Sequence, residues 1–270
     1  MKNIPRVICC MLLISFITAC STVPFTGRRQ LSLIDDSELR QEAALAYNDF
    51  LKSSSTTVIS GTADANEVQR VGQRISRAIT TYFNENGQGK EYNFDWQFTL
   101  VKDKNINAWC MPGGKVAVFS GILPVTANES GLAAVMGHEI AHAIAKHSAE
   151  RASQTALAQG GGALVGVASS GQSQTSKAII NQLYGIGGQL AILNYSRSQE
   201  SEADRMGLIF MAMAGYNPSE AVNFWTRMMN AKEGSGAPPE FLSSHPSDAR
   251  RISDIKKLIP EAMKYYKAVN

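Results

Sequence analysis

Two histidines and a glutamate lie within one helical turn of each other at His138-Glu139-Ile140-Ala141-His142. If this segment is helical, residues four apart share a face, so both imidazoles can reach one ion while Glu139 stands beside the remaining coordination space. Two imidazoles with an adjacent carboxylate base form the zinc-hydrolase pattern. The alternative is a helix with two ordinary histidines. It is the weaker interpretation, because the chain has only 4 histidines in 270 residues.

A catalytic zinc site needs a third protein ligand, and Glu200 is the candidate. It begins the run Glu200-Ser201-Glu202-Ala203-Asp204, in which Glu200 and Asp204 share a helix face while Glu202 points elsewhere. We expect Glu200 to bind the metal and Asp204 to accept the free ring N–H of a ligand histidine, which would fix its tautomer. The alternative, a solvated acidic helix face, is disfavoured by the apolar residues that follow.

The segments around these motifs must form the scaffold that positions them. The metal-site helix is expected from about Asn128 to Ala156, and a second helix carries Glu200 toward Gly215. Apolar periodicity predicts two further helices and three strands: helices over 35–51 and 66–84, and strands over 94–100, 106–111 and 115–120. The predicted class is α+β, predominantly helical, with a small antiparallel sheet beside the metal-site helix.

A glycine-rich, small and apolar segment follows the metal-site helix at residues 159–172. A mobile lid or membrane-touching loop over the cleft and a helix packed closely through its glycines both fit this composition. We favour the lid. A transmembrane helix is disfavoured because polar residues leave too short an apolar run.

The first 19 residues have the composition of an export signal. Lys2 and Arg6 flank the start of an apolar run at residues 7–17, which is too short to span a bilayer permanently. The run ends in Ile17-Thr18-Ala19-Cys20, which resembles the bacterial lipobox and predicts lipidation of Cys20. A plain signal peptide or a short anchor with an incidental cysteine is the alternative. The predicted organisation is a lipoprotein signal peptide at 1–19, a membrane tether at 20–34, and a single metallopeptidase domain with N-terminal helices at 35–270.

Composition limits the remaining classes of function. A formal net charge of +3 predicts no nucleic-acid partner. If the signal is removed and Cys20 is lipidated, Cys110 is the remaining thiol, so no intramolecular disulfide is expected. The apolar run around Cys110 favours a buried structural cysteine over a reactive one.

The order of the motifs resembles metallopeptidase family 48, the HtpX and CAAX prenyl protease-like gluzincins. Without a set of membrane spans, the chain is most similar to their soluble periplasmic lipoprotein branch, which includes BepA and LoiP. The resemblance extends over about residues 65–255. The matching elements are Asn107-Ala108 with Pro112-Gly113-Gly114, the HEIAH helix, Ser196-Arg197 with the Glu200 motif, and His245-Pro246 with Arg251-Ile252.

The resemblance implies a zincin-like fold and one Zn²⁺ per chain, bound by His138, His142 and Glu200. It makes Glu139 the base that activates water and places Asp204 behind the ligands. His245 matches a histidine that can occupy or gate the open zinc position, and Arg251 matches a position that could stabilise the oxyanion, a role that His245 or Tyr195 could also fill. His147 lies off the ligand face, and no metal role is predicted for it.

These features predict a zinc-dependent metalloendopeptidase that cleaves unfolded or misassembled envelope proteins in outer-membrane quality control. Its predicted location is the bacterial cell envelope, anchored through lipidated Cys20 to the membrane, with Ser21 favouring the outer membrane and the periplasmic side. The alternative is a periplasmic chaperone or assembly factor whose metal site is structural or self-inhibited. A binding module without metal is a third hypothesis.

Overall fold

The computed structural model describes residues 20–158, 176–180, 195–234, 239–245 and 250–267. The predicted lid at 159–172 lies outside these residues. The helices are α1 (Asp36–Lys52), α2 (Ala63–Glu85), α3 (Leu123–Thr126), α4 (Glu129–Ile144), α5 (His147–Ala158), α6 (Arg197–Met213), α7 (Glu220–Gly234), α8 (Glu240–Ser244) and α9 (Arg250–Ala262). The strands are β1 (Cys20–Thr22), β2 (Arg29–Leu31), β3 (Val58–Ile59), β4 (Gln97–Val101), β5 (Ala108–Met111) and β6 (Lys115–Phe119). The predicted α+β, mainly helical class is confirmed.

The larger sheet has the strand order β3-β4-β6-β5. Strands β5 and β6 form the predicted antiparallel hairpin, and Gly113 and Gly114 turn it with φ angles of 84° and 86°. The sheet is mixed rather than wholly antiparallel, because β4 and β6 are parallel. This difference arises because the hairpin places β5 at the edge of the sheet and β6 beside β4. Strand β5 therefore lies at the sheet margin, next to α4.

Helix α4 is the centre of the core. Its N-cap Asn128 accepts the N–H of Gly131 at 2.8 Å, and every residue from Gly131 to Ile144 is buried. The predicted single helix from Asn128 to Ala156 is divided after Ile144, because Lys146 adopts a left-handed φ of 55° that interrupts the helix. Helix α5 begins at the next residue, His147, which is thereby returned toward the face of α4 that carries the histidines.

Two glycines allow α4 and α6 to pack against each other backbone to backbone. A Cβ atom on Gly207 would lie 2.9 Å from the backbone nitrogen of His138 and 3.0 Å from the carbonyl carbon of Gly137. No side chain larger than hydrogen fits this crossing without moving a helix. The close approach holds the first two turns of α6, which carry Glu200 and Asp204, opposite the two histidines of α4.

The segment assigned to a membrane tether includes a hairpin that packs onto the helices. Strands β1 and β2 pair antiparallel over Cys20–Thr22 and Arg29–Leu31. Val23 is buried, and Phe25 stacks on Tyr82 with ring centroids 4.8 Å apart. Cys20 itself is exposed, and its lipidation stays a prediction.

The thiol of Cys110 lies in β5 and is buried, as expected for a structural cysteine. Burial raises the pKa of this thiol well above its ordinary value, so the reactive thiolate is disfavoured. Among the helices that the structure describes, none has both the length and the apolar character needed to cross a bilayer.

Candidate metal centre

Four side chains direct donor atoms into one small space. They belong to His138, His142, Glu200 and His245, and these donor atoms all lie within 4.8 Å of one another. His138 Nε2 is 3.1 Å from His142 Nε2 and 3.2 Å from His245 Nδ1. Glu200 Oε1 is 3.4 Å from His142 Nε2 and 2.9 Å from His245 Nδ1. Tetrahedral nitrogen ligands at about 2.0–2.1 Å from zinc are separated by about 3.3 Å, so this arrangement has the dimensions of a zinc site.

The chemistry of the donor set also fits a divalent cation. Burial lowers the pKa of His142 well below its ordinary value, which leaves the imidazole neutral and able to bind metal. Burial alone would raise the pKa of Glu200, but electrostatic interactions with His245 and Arg251 hold it well below its ordinary value. Glu200 Oε2 makes no hydrogen bond of good geometry, although Arg251 Nη1 lies 3.0 Å away. A cation at this position would satisfy a buried anionic oxygen.

Glu139 lies beside the four donors rather than among them. Its Oε1 is 3.2 Å from His245 Nε2, and the nearby backbone N–H of Cys110 in β5 acts to lower its pKa. Burial raises the pKa of Glu139 to about 7, against the lowering effect of His245. A carboxyl group with this pKa can both accept and return a proton near neutral pH. Its assignment as general base stays a prediction.

Asp204 and Arg251 hold His138 from behind. Asp204 Oδ1 lies 3.0 Å from His138 Nδ1, the ring nitrogen that faces away from the other donors, as expected for a carboxylate that fixes the tautomer. Arg251 donates to both oxygens of Asp204, at 2.9 Å and 2.7 Å, and stacks 3.4 Å above the ring of Trp225. The oxyanion role of Arg251 stays a prediction.

His245 is held at the site by α8. Phe241 in α8 donates its N–H to the carbonyl of Ile106 at 3.0 Å, just before β5. His245 donates its own N–H to the Phe241 carbonyl at 2.8 Å, and the two rings stack with centroids 4.5 Å apart. In this conformation the His245 ring fills the space between the donor cluster and Glu139. His245 thus contributes a fourth donor to the cluster, and its role at the open zinc position stays a prediction.

Sequence reasoning missed the roles of two residues near His142. No metal role was predicted for His147, and its Nδ1 lies 2.8 Å from Nδ1 of His142. Glu202 was expected to point elsewhere, and its Oε2 lies 2.9 Å from Nε2 of His147. The signal needed to find this contact was the break at Lys146, which no helical periodicity predicts. Tyr195 adds a stacked contact to His142, with centroids 3.8 Å apart.

The chain is similar to known metalloendopeptidases. The sequence model described as Peptidase family M48 matches residues 63–259. Mitochondrial metalloendopeptidase OMA1 of Schizosaccharomyces pombe is 36% identical over 188 residues, which cover 70% of this chain and 53% of that protein. The human metalloendopeptidase OMA1 is 28% identical over 265 residues, covering 96% of this chain and 50% of that protein. The beta-barrel assembly-enhancing protease of Yersinia pestis is 31% identical over 192 residues, covering 66% and 38%. The chain thus spans about half or less of each of these relatives.

Proposed function

The chain belongs to peptidase family M48, and on that premise we propose that it is a zinc-dependent endopeptidase that cleaves unfolded or misassembled envelope proteins. One observation carries the proposal. The donor atoms of His138, His142 and Glu200 converge, and the carboxylate of Glu139 lies at their side. The family relationship and this geometry both favour metal-assisted hydrolysis of a peptide bond.

In the proposed mechanism, His138, His142 and Glu200 hold one zinc ion. When bound, zinc supplies polarisation of the scissile carbonyl and lowers the pKa of the attacking water. Glu139 takes the proton of that water and then delivers it to the leaving amine. Asp204 keeps His138 in the tautomer that presents Nε2 to the metal.

The substrate is proposed to bind as an extended segment along β5. An edge strand can receive a peptide through main-chain hydrogen bonds, and the Cys110 N–H of β5 is near enough to the Glu139 carboxylate to lower its pKa. Unfolded chains can adopt the extended conformation that such pairing needs. The backbone N–H of Phe241 in α8 is hydrogen-bonded to the carbonyl of Ile106, just before β5. We therefore expect α8 and His245 to move aside before the substrate binds.

The proposed location is the bacterial cell envelope, with the chain anchored through lipidated Cys20 at the periplasmic side of the outer membrane. The export signal predicted at 1–19 and the similarity to a beta-barrel assembly-enhancing protease support it. The OMA1 relatives are mitochondrial, which is a different compartment. Between the two locations, the predicted export signal favours the bacterial envelope.

Metal content and proteolysis test the proposal together. The purified chain is expected to contain about one zinc ion and to cleave an unfolded protein such as reduced, alkylated casein. A chelator should abolish cleavage, and added zinc should restore it. The absence of bound zinc, or cleavage that persists after the metal is removed, would refute the proposal.

Replacing His245 is expected to increase cleavage. His245 Nδ1 lies 3.2 Å from His138 Nε2, which supports the proposal that the ring blocks the position that water and substrate need. If the open form is populated at about 10% or less, His245→Ala should raise kcat/KM for casein about tenfold or more. Ser244→Ala, in the same segment, is the control and should leave the rate unchanged.

His245→Ala also distinguishes the peptidase from the second candidate function, a chaperone whose metal site is permanently blocked. The position of His245 is the observation that favours that candidate. If His245→Ala retains zinc but cleaves no faster than the wild type, while both proteins suppress aggregation of an unfolded client equally, the chaperone interpretation replaces the peptidase interpretation.

A further inference from the structure

A chain of hydrogen bonds connects the metal-site histidine His142 to the N-terminal hairpin. His142 Nε2 faces His138 in the donor cluster, and its other ring nitrogen lies 2.8 Å from His147 Nδ1. His147 Nε2 lies 2.9 Å from Glu202 Oε2, and Arg28 donates to the same oxygen at 2.8 Å. Three different parts of the fold, α5, α6 and the hairpin, therefore meet behind one ligand.

The Glu202 carboxylate at the end of this series of hydrogen bonds fixes which atom donates in each of them. Glu202 accepts from Arg28 at Oε2 and from Thr26 at Oε1, so both of its oxygens act as acceptors. His147 must then donate from Nε2, which makes its Nδ1 an acceptor. His142 must donate from Nδ1, which leaves its Nε2 with a free lone pair. That is the tautomer required to bind a metal through Nε2.

Arg28 connects this series of hydrogen bonds to a second buried carboxylate. Its two terminal nitrogens donate to the two oxygens of Glu150 at 2.6 Å and 2.8 Å, while its Nε serves Glu202. Gln199 donates to Glu150 at 2.7 Å, and Thr26 of the hairpin donates to Glu202. One guanidinium thus bridges both carboxylates, and its planar fork fixes their separation.

We propose that Arg28 is a positioning residue for the metal centre, acting through Glu202 and His147 to hold His142 in its metal-binding tautomer and orientation. The hairpin that begins at Cys20 is then a structural part of the peptidase site rather than only a connection to a membrane. The proposal rests on the metal site of the proposed function. According to this proposal, contacts made by the hairpin strengthen zinc binding by the intact protein.

Zinc affinity of the full chain tests this role without reference to proteolysis. Arg28→Gln should weaken zinc binding about tenfold, measured by competition with a chromogenic chelator, because loss of a partner behind the ligands typically costs 10–100-fold. The absorption bands of the Co²⁺-loaded variant should shift as well, since they report the ligand geometry. Phe25 stacks on Tyr82 and packs against Phe210, so the hairpin is expected to stay docked.

Arg205→Gln is the matched control. Arg205 lies on α6, the helix that carries Glu202, and pairs through Nε and Nη2 with a different carboxylate, Glu261, at 2.7–3.1 Å. Its removal should leave zinc affinity and the Co²⁺ spectrum at wild-type values. Equal zinc affinities for wild type, Arg28→Gln and Arg205→Gln would overturn the proposal.

A double-mutant cycle shows whether Arg28 acts through His147. His147→Leu removes both ring contacts and should weaken zinc binding about 10–100-fold. In that background Arg28→Gln should add little further loss, because the connection is already broken. Fully additive losses would overturn the proposed route. His147→Gln, which keeps an acceptor and a donor, should recover part of the affinity and provides the test if Arg28→Gln does not fold. A wild-type chain that binds no zinc would instead refute the proposed function.

Discussion

Glu139→Gln is expected to lower the cleavage of unfolded casein by about 10²–10⁴-fold while leaving the zinc content at the wild-type value. Glutamine preserves the size of the side chain but cannot take a proton from the attacking water. The ligands His138, His142 and Glu200 are unchanged, so the metal should remain bound. The measurement is kcat/KM with elemental analysis of the same samples.

Glu129→Gln is the matched control for this variant. Glu129 lies in the first turn of the same helix, and its carboxylate pairs at the surface with Arg70. Removing this exposed charge should change the cleavage rate little. If Glu139→Gln cleaves casein as fast as Glu129→Gln, then Glu139 is not the base and the proposed mechanism fails.

Arg251→Ala is expected to lower the free energy of unfolding by about 3–5 kcal/mol, because it leaves buried carboxylates without their counter-charge. Arg251 makes two hydrogen bonds to Asp204, lies 3.0 Å from Glu200 and stacks on Trp225. Urea denaturation of the zinc-free and zinc-loaded forms measures the loss. The loss should be smaller with zinc bound, since the ion compensates Glu200.

Arg205→Ala supplies the comparison, because its pair with Glu261 is a third exposed. Partly exposed pairs contribute about 0–1 kcal/mol, so this variant should be only mildly destabilised. If Arg251→Ala is no less stable than Arg205→Ala, then the cluster of Arg251, Asp204 and Glu200 does not stabilise the fold as argued.

The ligand helix and its acidic partner could be predicted from the sequence because each depends on short-range helical geometry. The four-residue spacing in His138–His142 and in Glu200–Asp204 sets which side chains share a face. The approach of the two helices could not be predicted, since it depends on Gly137 lying against Gly207 across the core. The family resemblance supplied that pairing instead.

The contacts behind His142 could not be predicted because they depend on a local reversal and on distant partners. The left-handed conformation of Lys146 turns His147 back toward His142, whereas an unbroken helix would place it off the ligand face. The hairpin has short strands and a proline- and glycine-containing loop, a composition typical of a flexible connection. Its order comes from Glu150 and Glu202, which are far away in sequence.

The separation between Arg28 and Glu202, 174 positions, has a consequence for the order of folding. Closing a loop of that length costs entropy that is repaid only after α5 and α6 have formed. In a polypeptide that emerges N-terminus first, the hairpin therefore appears first but docks late, after its partners on α5 and α6 have folded. Full metal affinity would then be among the last properties that the folding chain acquires, which would confine cleavage of neighbouring proteins to the completed molecule.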